Sequence, residues 1–450
     1  MKIPEKPPKF DSNFISKLSP EKLRLMFAPH PEIKKLIQKA NCEYLYWDRF
    51  KQQSMPESLK PEEGWIALKA SRMANMRDVE LKSEKSKNFT FFVTPTMQSL
   101  LSKIDQYAAG HIALTDEHSI KDFNQERYVI NSLMEEAIAS SQIEGAATTR
   151  KKAKEMLRTG RKPENKDQRM ILNNYLTIME IRKNWKHQPL SKELINKIHV
   201  SMAHETMDDP KEEGAYRTAE DDVHIIDDEQ NILFTPPPAE KIDQMIERLC
   251  AFANQSHEDE EFIHPVIKAI IIHFWLAYIH PYVDGNGRTS RALFYWYMLS
   301  KKYWLFEYVS ISRIILNARR QYERAYLYTE FDDNDLNYFV AHQLSAINKA
   351  LEDLKTYLEN KIKEISLSKS FLKKNRIINQ RQRELLMHAI QHPDHVYTAK
   401  SFQSMFSTSY ETARRDLSEL KRIGYFNVHK KRKELYFVAI DGLEERLYKK

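Results

Sequence analysis

One short segment, Ile279–Arg291 (IHPYVDGNGRTSR), concentrates residue types that could do chemistry on phosphates. Gly285 and Gly287 allow the backbone to turn tightly with its N–H groups exposed. An apolar helix must stop near Pro281 because proline disfavours the helical state at the preceding residue. A second helical pattern, RTSRALFYWYMLS, follows at once. A glycine turn that leads into a helix N-terminus gathers N–H donors around a concave surface, which predicts an anion site.

The charged residues of the segment sharpen that prediction. Arg288 and Arg291 lie three residues apart, so both project from one face of the second helix. Two guanidinium groups beside backbone donors favour a polyphosphate over a single carboxylate. Asp284 would be repelled by bare phosphate, and a Mg²⁺ ion between the carboxylate and two phosphate oxygens removes the conflict. His280 is left as the group that can accept a proton near neutral pH.

Taken singly, such residues are usually surface or capping groups, but their order matches the HxFx(D/E)GNGRxxR signature of the Fic family at every position but one. Tyr282 stands where phenylalanine is usual, which keeps an aromatic ring for packing. The chain therefore resembles a Fic-domain protein over its middle region. Members of the family transfer AMP from ATP to a hydroxyl group of a target protein, so the resemblance implies ATP and Mg²⁺ at this site.

The resemblance also implies a role for each position. His280 would deprotonate a Tyr, Thr or Ser hydroxyl of the target, which attacks the α-phosphate. Asp284 would hold Mg²⁺, Arg288 would contact the inner phosphates and Arg291 the γ-phosphate. The implied ATP-binding residues are Asp284, Gly285, Asn286, Gly287, Arg288, Thr289, Ser290, Arg291 and Tyr322. Tyr322 resembles a tyrosine that packs near the base in relatives, and simple core packing is the alternative. His273 is expected to be a core histidine.

A second segment, SSQIEG (Ser140–Gly145), fits the inhibitory pattern (S/T)xxxE(G/N) of the family, with Ser140, Glu144 and Gly145 in the diagnostic places. The resemblance implies that Glu144 pairs with Arg291, so that the γ-phosphate loses its clamp and ATP binds unproductively. Because this segment precedes the core, the chain resembles the self-inhibited class with an N-terminal inhibitory helix, predicted at 131–146. The alternative is that Glu144 is one more solvated helix residue.

The stretch 223–235 is predicted to be a β-hairpin, because two short apolar runs flank the polar DDEQN and three prolines then forbid a longer strand. In the family this hairpin is a flap that aligns the target side chain by adding a strand to it. The resemblance implies that the groove is lined by Val223, His224, Ile225 and Ile226. An ordinary surface hairpin is the alternative.

The elements around these motifs predict a mostly α fold. The chain has 450 residues, which is enough for about two or three domains. Its low glycine content, nine residues, suits a helical protein. We expect a helical N-terminal region at 1–90 and an all-helical Fic core with its hairpin flap at 91–361. A linker at 362–374 and a winged helix-turn-helix domain at 375–450 complete the predicted organisation.

The C-terminal region carries a basic surface. SYETARRDLSELKRIG is predicted to be the recognition helix, with Ala413, Leu417 and Leu420 facing inward. The predicted outward cations of this helix and of the following turn are Arg414, Arg415, Lys421, Arg422, Lys430, Lys431 and Arg432. They favour contacts with nucleic-acid phosphates. Winged helices also dock proteins, and a positive face alone does not show base reading.

The composition and the apolar runs of the sequence limit the partners and the cellular location that we expect. The net charge of +7 permits an anionic partner without demanding one. Two distant cysteines, Cys42 and Cys250, argue against a disulfide framework and a zinc site, and fit a reducing cytosol. The start, MKIPEKPPKF, lacks the apolar core of a signal peptide, and the most apolar run is too short to span a bilayer. The expectation is a soluble cytoplasmic protein with no membrane partner.

These observations leave several functions open. The first is an AMP transferase for a target protein, restrained by Glu144. The second is a DNA-binding regulator in which the Fic core senses nucleotide without turnover. A third keeps the fold but transfers another phosphate-containing group or removes AMP. The identity of the target and the oligomeric state, including a possible homodimer, are open as well.

Overall fold

The structure is a computed structural model that describes residues 3–27, 30–56, 59–108, 125–226, 229–255, 262–374, 378–392, 395–431 and 434–448. The described residues group into two compact units. The first unit comprises 3–108 with 129–351, and the second comprises 125–128 with 352–448.

Helices dominate both units, which confirms the predicted mostly α fold class. The helices are α1 (Ser12–Ile15), α2 (Pro20–Phe27), α3 (Pro31–Cys42), α4 (Trp47–Phe50), α5 (Pro61–Met73), α6 (Pro95–Ala108), α7 (Gln125–Ile143), α8 (Arg150–Thr159), α9 (Lys166–Lys183), α10 (Lys192–Ala203), α11 (Ile242–Asn254), α12 (Pro265–Ile279), α13 (Asn286–Ser300), α14 (Ile311–Asn317), α15 (Arg319–Phe331), α16 (Asn337–Lys374), α17 (Gln380–Gln391), α18 (Ala399–Phe406), α19 (Tyr410–Ile423) and α20 (Leu443–Tyr448). The strands are β1 (Arg77–Lys82), β2 (Asn88–Phe91), β3 (Ile225–Ile226), β4 (Ile232–Phe234), β5 (Val396–Tyr397), β6 (Phe426–Lys431) and β7 (Glu434–Ala439).

The centre of the first unit is the pair α12 and α13. Both helices bury nearly all of their side chains. A helix that is apolar on every side must be surrounded by other elements. Here α11 packs on α12, while α9 and α10 pack on α13. The turn between α12 and α13, which carries the signature residues, is therefore held at both ends by a buried helix.

The N-terminal region differs from the expectation, because it contains an antiparallel hairpin, β1–β2, as well as helices. Val79 and Leu81 of β1 are buried and alternate with exposed residues, which is a strand pattern within RDVELK. On β2, Phe89 packs edge-on against Trp275 of α12 with ring centroids 5.2 Å apart. The predicted helical region therefore consists of helices up to Met73 and ends in a hairpin, which the period-two alternation of RDVELK indicates.

The second unit contains the three helices predicted for it, as α17, α18 and α19, and the two strands around the basic turn, as β6 and β7. Two elements were not predicted. The short strand β5 pairs with β7, which completes an antiparallel sheet of order β5–β7–β6, and α20 follows the sheet. The residues predicted as a linker, 362–374, belong to α16. Nothing ends the helix there, because KIKEISLSKSFLKK contains neither glycine nor proline.

The structure adds two findings on the wider expectations. In the part of the chain that the structure describes, no helix combines the length and apolarity needed to cross a membrane. Cys42 and Cys250 are both free thiols, the first exposed and the second partly buried.

Candidate active site

His280 caps the C-terminus of α12 in a left-handed conformation, with φ 51°. Non-glycine residues rarely adopt this conformation, so the surrounding structure must impose it. Its Nδ1 lies 3.2 Å from the carbonyl oxygen of Ala277. A carbonyl oxygen only accepts, so Nδ1 carries the ring proton and Nε2 presents a lone pair. Burial lowers the pKa of His280 from 6.5 to about 4, which keeps the imidazole neutral and able to accept a proton.

Arg217 holds the backbone on both sides of that histidine. Its Nε donates to the carbonyl oxygen of His280 at 2.8 Å, and its backbone N–H donates to that of Pro281 at 2.8 Å. Its Nη2 donates to the carbonyl oxygen of Pro237, just after the hairpin β3–β4. One guanidinium therefore ties the end of α12 to the end of the hairpin. No sequence pattern predicted a role for Arg217.

The turn itself is closed by the side chain of Asn286. Its Nδ2 donates to the carbonyl oxygen of Tyr282 at 2.7 Å, and its Oδ1 accepts from the Tyr282 N–H at 2.9 Å. Gly285 precedes α13 with φ 84°, a conformation that suits glycine. The N–H groups of the first turn of α13 have no carbonyl partner within the helix, so its N-terminus is suited to receive an anion.

His199 of α10 supports the turn from beneath. It is fully buried, and its Nε2 lies 2.8 Å from the carbonyl oxygen of Asp284, while its Nδ1 accepts from the Gly214 N–H at 3.1 Å. Its ring stacks on that of Tyr282 with centroids 3.6 Å apart. Burial lowers its pKa to about 4, so the ring is neutral and Nε2–H is the donor to Asp284. Sequence reasoning missed His199, which looks like an ordinary core residue of α10.

Tyr282 is therefore accommodated where the family signature has phenylalanine. Its ring is fully buried, and its hydroxyl donates to Oδ1 of Asn196 at 2.6 Å. A buried hydroxyl with a partner carries no desolvation penalty of the kind that an unpaired one would. The substitution preserves the packing that was expected of it.

Arg288 lies under the turn rather than on its open side. Its side chain is fully buried, with Nη1 donating to the carbonyl oxygen of Met202 at 3.1 Å and Nη2 3.3 Å from the Asp284 carboxylate. Its Nε has no hydrogen-bond partner among the described residues. In this arrangement Arg288 fixes the turn that carries Asp284, and its expected contact with the inner phosphates stays a prediction.

Thr289 and Ser290 are also turned inward. Both are fully buried, and their hydroxyls donate to the carbonyl oxygens of Gly285 at 2.9 Å and Gly287 at 2.8 Å. These bonds tie the side chains to the backbone of their own helix. Their expected contact with ATP stays a prediction, and their hydroxyl groups do not support it.

Arg291 and Glu144 form the ion pair that the resemblance implies. Nη2 of Arg291 lies 2.9 Å from Oε1 of Glu144 and donates to the carbonyl oxygen of Ser140 at 2.9 Å. Nε of Arg291 donates to Oγ of Ser140 at 2.8 Å. The Arg291 side chain is 4 % exposed and that of Glu144 is 29 % exposed. Glu144 is therefore not the solvated helix residue that the alternative interpretation predicted.

The Glu144 carboxylate also lies directly over the first turn of α13. A Cβ atom on Gly287 would overlap it, so glycine is needed here for the close approach. α7 ends at Ile143, slightly before the predicted end, and Glu144 and Gly145 form the turn that follows, with Gly145 at φ 96°. The carboxylate thus occupies the place at the helix N-terminus where the sequence predicts an anion.

Asp284 is the residue that would hold a magnesium ion. Its side chain is 51 % exposed, with Oδ1 accepting from the Gly285 N–H at 2.5 Å. Within the described ranges, no group of three or more His, Cys, Asp or Glu side chains could bind a metal by itself. Mg²⁺ beside phosphates commonly uses only one or two carboxylates together with phosphate oxygens and water. A single accessible carboxylate at a phosphate site fits that ion.

Tyr322 lies in an aromatic core cluster rather than on an open surface. It is 6 % exposed, and its hydroxyl is 2.9 Å from Nε2 of His273 and 3.1 Å from the hydroxyl of Tyr326. The core-packing alternative describes this position, and contact with adenine stays a prediction. His273 is 2 % exposed and bonded to Tyr322, so its expected role as a satisfied core histidine is confirmed.

The predicted hairpin is present as β3 and β4, which pair antiparallel with Ile225 opposite Phe234. Phe234 packs on Tyr278 of α12 with ring centroids 5.3 Å apart, which anchors the hairpin beside the end of α12. Ile226 and Ile232 are 45 % and 52 % exposed. Val223 and His224 precede the strand, and Nδ1 of His224 is 3.1 Å from Oγ1 of Thr235. Lining of a target groove by these residues stays a prediction.

In the second unit, the inward residues of α19 are as predicted, since Ala413, Leu417 and Leu420 are fully buried. The predicted cations Arg414, Arg415, Lys421, Arg422 and Lys430 are exposed. Lys431 ends β6, and Arg432 lies outside the described residues.

Comparisons with known proteins agree with this geometry over a limited segment. The model of the Fic/DOC family matches residues 189–298. A protein adenylyltransferase Fic from Nematostella vectensis is 34% identical over 84 residues, which are 19% of this chain and 17% of the relative. That of Drosophila sechellia is 41% identical over 58 residues, 13% of this chain and 11% of the relative.

The chain thus matches only about a sixth of the length of these curated relatives, or less. A crystal structure of a Fic family protein from Desulfovibrio desulfuricans G20 superposes with a TM-score of 0.49 at 17% identity, covering 78% of this chain and 98% of that one. The segment that the family model matches includes the whole turn between α12 and α13. The likeness to the Fic/DOC family therefore extends over residues 189–298.

Proposed function

We propose that this protein is an adenylyltransferase that moves AMP from ATP to a Tyr, Thr or Ser hydroxyl of a target protein, and that Glu144 restrains it. The observation that carries the proposal is the pairing of two features on one turn. A neutral His280 presents Nε2, and the N-terminus of α13 next to it already receives a carboxylate. The names of the relatives that match this segment support the same activity.

The triphosphate would take the place that the Glu144 carboxylate holds. The first N–H groups of α13 donate to phosphate oxygens, since helix N-termini bind anions well. Arg291, released from Glu144, has one N–H of its Nη2 free for the γ-phosphate, while Ser140 continues to bond Nη2 through its carbonyl oxygen and Nε through its hydroxyl. Its Nη1, which is buried and has no partner within the described residues, is a further donor for the same anion.

The chemical step would use His280 as the base. The oxygen of the target hydroxyl attacks the α-phosphorus, its proton passes to Nε2, and the bond from that phosphorus to the bridging oxygen breaks. Pyrophosphate leaves with the electron pair, and AMP remains on the target. Such reactions depend on positioning and on charge neutralisation more than on covalent help. A Mg²⁺ ion held by Asp284 would supply part of that neutralisation.

The restraint follows from the ion pair. While Glu144 lies over Gly287 and binds Arg291, its carboxylate repels a phosphate and removes the cation that would hold it. Removing the carboxylate should therefore raise the transfer of AMP without any change at His280. Conversely, loss of the His280 imidazole should abolish the transfer of AMP whether or not Glu144 is present.

Incubation with ATP labelled at the α-phosphate tests both statements. Glu144→Gly should incorporate far more label than the unchanged chain, and adding His280→Ala should lower incorporation by about 100-fold or more. Glu144→Gln serves as a matched control for charge at nearly constant size. If the double variant labels as well as Glu144→Gly, the assignment of the base is wrong. Label from γ-labelled ATP instead of α-labelled ATP would point to transfer of a different group, and release of label from a modified target would point to removal of AMP.

A second candidate function is nucleic-acid binding by the second unit. α18 and α19 are joined by the three-residue turn 407–409, as in a helix-turn-helix. In the core of the second unit, Arg381 forms an ion pair with the buried Asp416 at 2.9 Å. Arg414 and Arg415, by contrast, have no ion pair within the described residues, and both are exposed on α19. Unpaired cations on the exposed face of such a helix are available to phosphates.

The binding of duplex DNA by the full chain, measured by fluorescence anisotropy over a range of salt, tests this candidate. Arg414→Glu with Arg415→Glu should weaken binding by about tenfold or more and lower the salt dependence. Arg422→Glu is the matched control, because Arg422 lies 3.6 Å from Glu419 and is partly neutralised. A flat titration at low salt would contradict the candidate. A change of DNA affinity on adding ATP would favour a nucleotide-sensing regulator.

A further inference from the structure

Glu136, two turns before Glu144 on α7, is a buried carboxylate outside the site described above. It is 1 % exposed. It accepts from the Tyr295 hydroxyl at 2.8 Å, from Oγ of Ser310 at 3.0 Å, from the Ser312 N–H at 3.0 Å and from the Ser312 hydroxyl. A buried carboxylate is tolerated only when its oxygens are well bonded. The donors come from α13 and from the start of α14, so this side chain joins three helices.

The contacts of α7 with α13 follow a regular spacing. They join Glu136 to Tyr295, Ser140 to Arg291, and Glu144 to Arg291 and to the position over Gly287. The residues on each helix are four apart, which places them on one face of that helix. Because the order is reversed on α13, the two helices run antiparallel along this line. A slide of α7 by one turn would break all of these contacts together.

Among Glu136, Ser140 and Glu144, Glu136 makes the most hydrogen bonds and lies farthest from the turn between α12 and α13. Burial, and then the Glu136 carboxylate, raise the pKa of Tyr295 well above its usual value, so its hydroxyl stays protonated as a donor. At the other end, Glu144 is partly exposed and lies just beyond the last residue of α7. A residue at the end of a helix keeps its position only if the body of the helix is fixed.

We propose that Glu136 is a positioning residue for inhibition: its bonds to Tyr295, Ser310 and Ser312 fix the register of α7 against α13 and so hold Glu144 over Gly287. This inference rests on the proposed function and concerns the regulation of the same site. Glu136 makes no hydrogen bond to the turn or to a group assigned to the nucleotide, although its negative charge helps to raise the pKa of Arg291. Its effect through Glu144 is therefore measured as the difference between the unchanged chain and the Glu144→Gly chain.

The test compares Glu136→Gln with Glu135→Gln in the full chain. The amide that Glu136→Gln introduces keeps the size of the side chain but turns an N–H₂ group toward donors, so it cannot accept all four bonds. Glu135 is the matched control, because it is the neighbouring glutamate and pairs with Arg150 and Lys154 of α8 instead. Glu136→Gln should raise labelling from α-labelled ATP by about fivefold or more, and Glu135→Gln should leave it unchanged.

A second pair of variants separates positioning from general damage. In the Glu144→Gly chain, Glu136→Gln should produce no further rise and no loss, because the residue that it positions is already gone. A purely structural role would lower labelling in both chains. If Glu136→Gln labels no more than the unchanged chain while Glu144→Gly labels strongly, the inference is overturned. If Glu144→Gly itself does not label, the proposed function fails instead.

Hydrogen–deuterium exchange supplies a readout that needs no activity. Glu136→Gln should speed exchange of the amides in the last turn of α7, residues 140–143, while those of α13 stay protected. Tyr295→Phe, which removes one donor to Glu136 and also the acceptor of the Ile311 N–H, should speed exchange in the same turn of α7. Unchanged exchange in α7 for both variants would overturn the inference whatever the labelling shows.

Discussion

Two helices of this protein carry arginines close to their start, and they use them in opposite ways. In α13, Arg288 and Arg291 are buried and bonded to backbone carbonyls and to carboxylates. In α19, Arg414 and Arg415 are exposed and, within the described residues, have no ion pair. A buried cation needs fixed partners, which gives it one geometry and one preferred anion. An exposed cation attracts phosphates in general, and salt screens it.

The packing of the two helices explains the difference. α13 is enclosed by α9, α10 and α12, so polar groups on every side must find partners inside the protein. α19 buries one stripe, formed by Ala413, Asp416, Leu417 and Leu420, and exposes the opposite face, which carries Arg414 and Arg415. Similar pairs of arginines therefore predict a rigid anion site in one unit and a solvated basic face in the other.

The largest effect is expected for Arg291→Lys in the Glu144→Gly chain. Lysine carries a single point charge and cannot bond Ser140 and a phosphate at once as the planar guanidinium does. Labelling from α-labelled ATP should fall by about 100-fold, in line with the loss of one fixed donor in an active site. Arg415→Lys in the same background should leave the rate unchanged. Equal rates for the two variants would break the contrast between the helices.

A stability difference comes next. Arg288→Ala should lower the free energy of unfolding by about 2–3 kcal/mol, because it removes one of the two side-chain donors to the Met202 carbonyl oxygen, leaves the Asp284 carboxylate without its cation and opens a cavity. Arg414→Ala should produce no measurable change, since its side chain is exposed. Urea titrations followed by tryptophan fluorescence compare the two. A similar loss of stability in both variants would show that burial does not distinguish the two helices.

The smallest effect concerns pH. If the pKa of His280 were 6.5, its neutral fraction would fall about eightfold between about pH 7 and about pH 5.5. Burial lowers the pKa of His280 to about 4, so the base stays neutral over this interval and loses function only as the pH approaches that value. Labelling by Glu144→Gly at saturating ATP should therefore change less than about twofold. A half-maximal rate near the ordinary pKa of histidine would contradict the assignment.

Local patterns predicted the parts of the structure that depend on nearby residues. The glycine turn, the hairpin after Arg217 and the buried stripe of α19 all follow from spacing within about a dozen residues. The pairing of Glu144 with Arg291 could not be predicted from local spacing, and it was predicted from the resemblance to the Fic family instead. Both sources named residues that the structure brings together at the start of α13.

Residues whose partners lie far along the chain could not be predicted. His199 meets Asp284 across 85 positions, Arg217 meets His280 across 63, and Glu136 meets Ser312 across 176. Only packing brings such groups together, and each looks like an ordinary helix or loop residue on its own. The inward hydroxyl groups of Thr289 and Ser290 show the converse, since a signature gives the residue type but not the direction of its side chain.

The central claim is that the N-terminus of α13 is an anion site that Glu144 now fills and that a triphosphate can take. A crystal of the Glu144→Gly chain, soaked with Mg²⁺ and an ATP analogue whose α–β bridge cannot be cleaved, tests it most directly. The predicted result places the phosphates over Gly287, the outermost one against Arg291, and the innermost phosphorus facing Nε2 of His280. Phosphates bound elsewhere, or an imidazole turned away from that phosphorus, would contradict the claim.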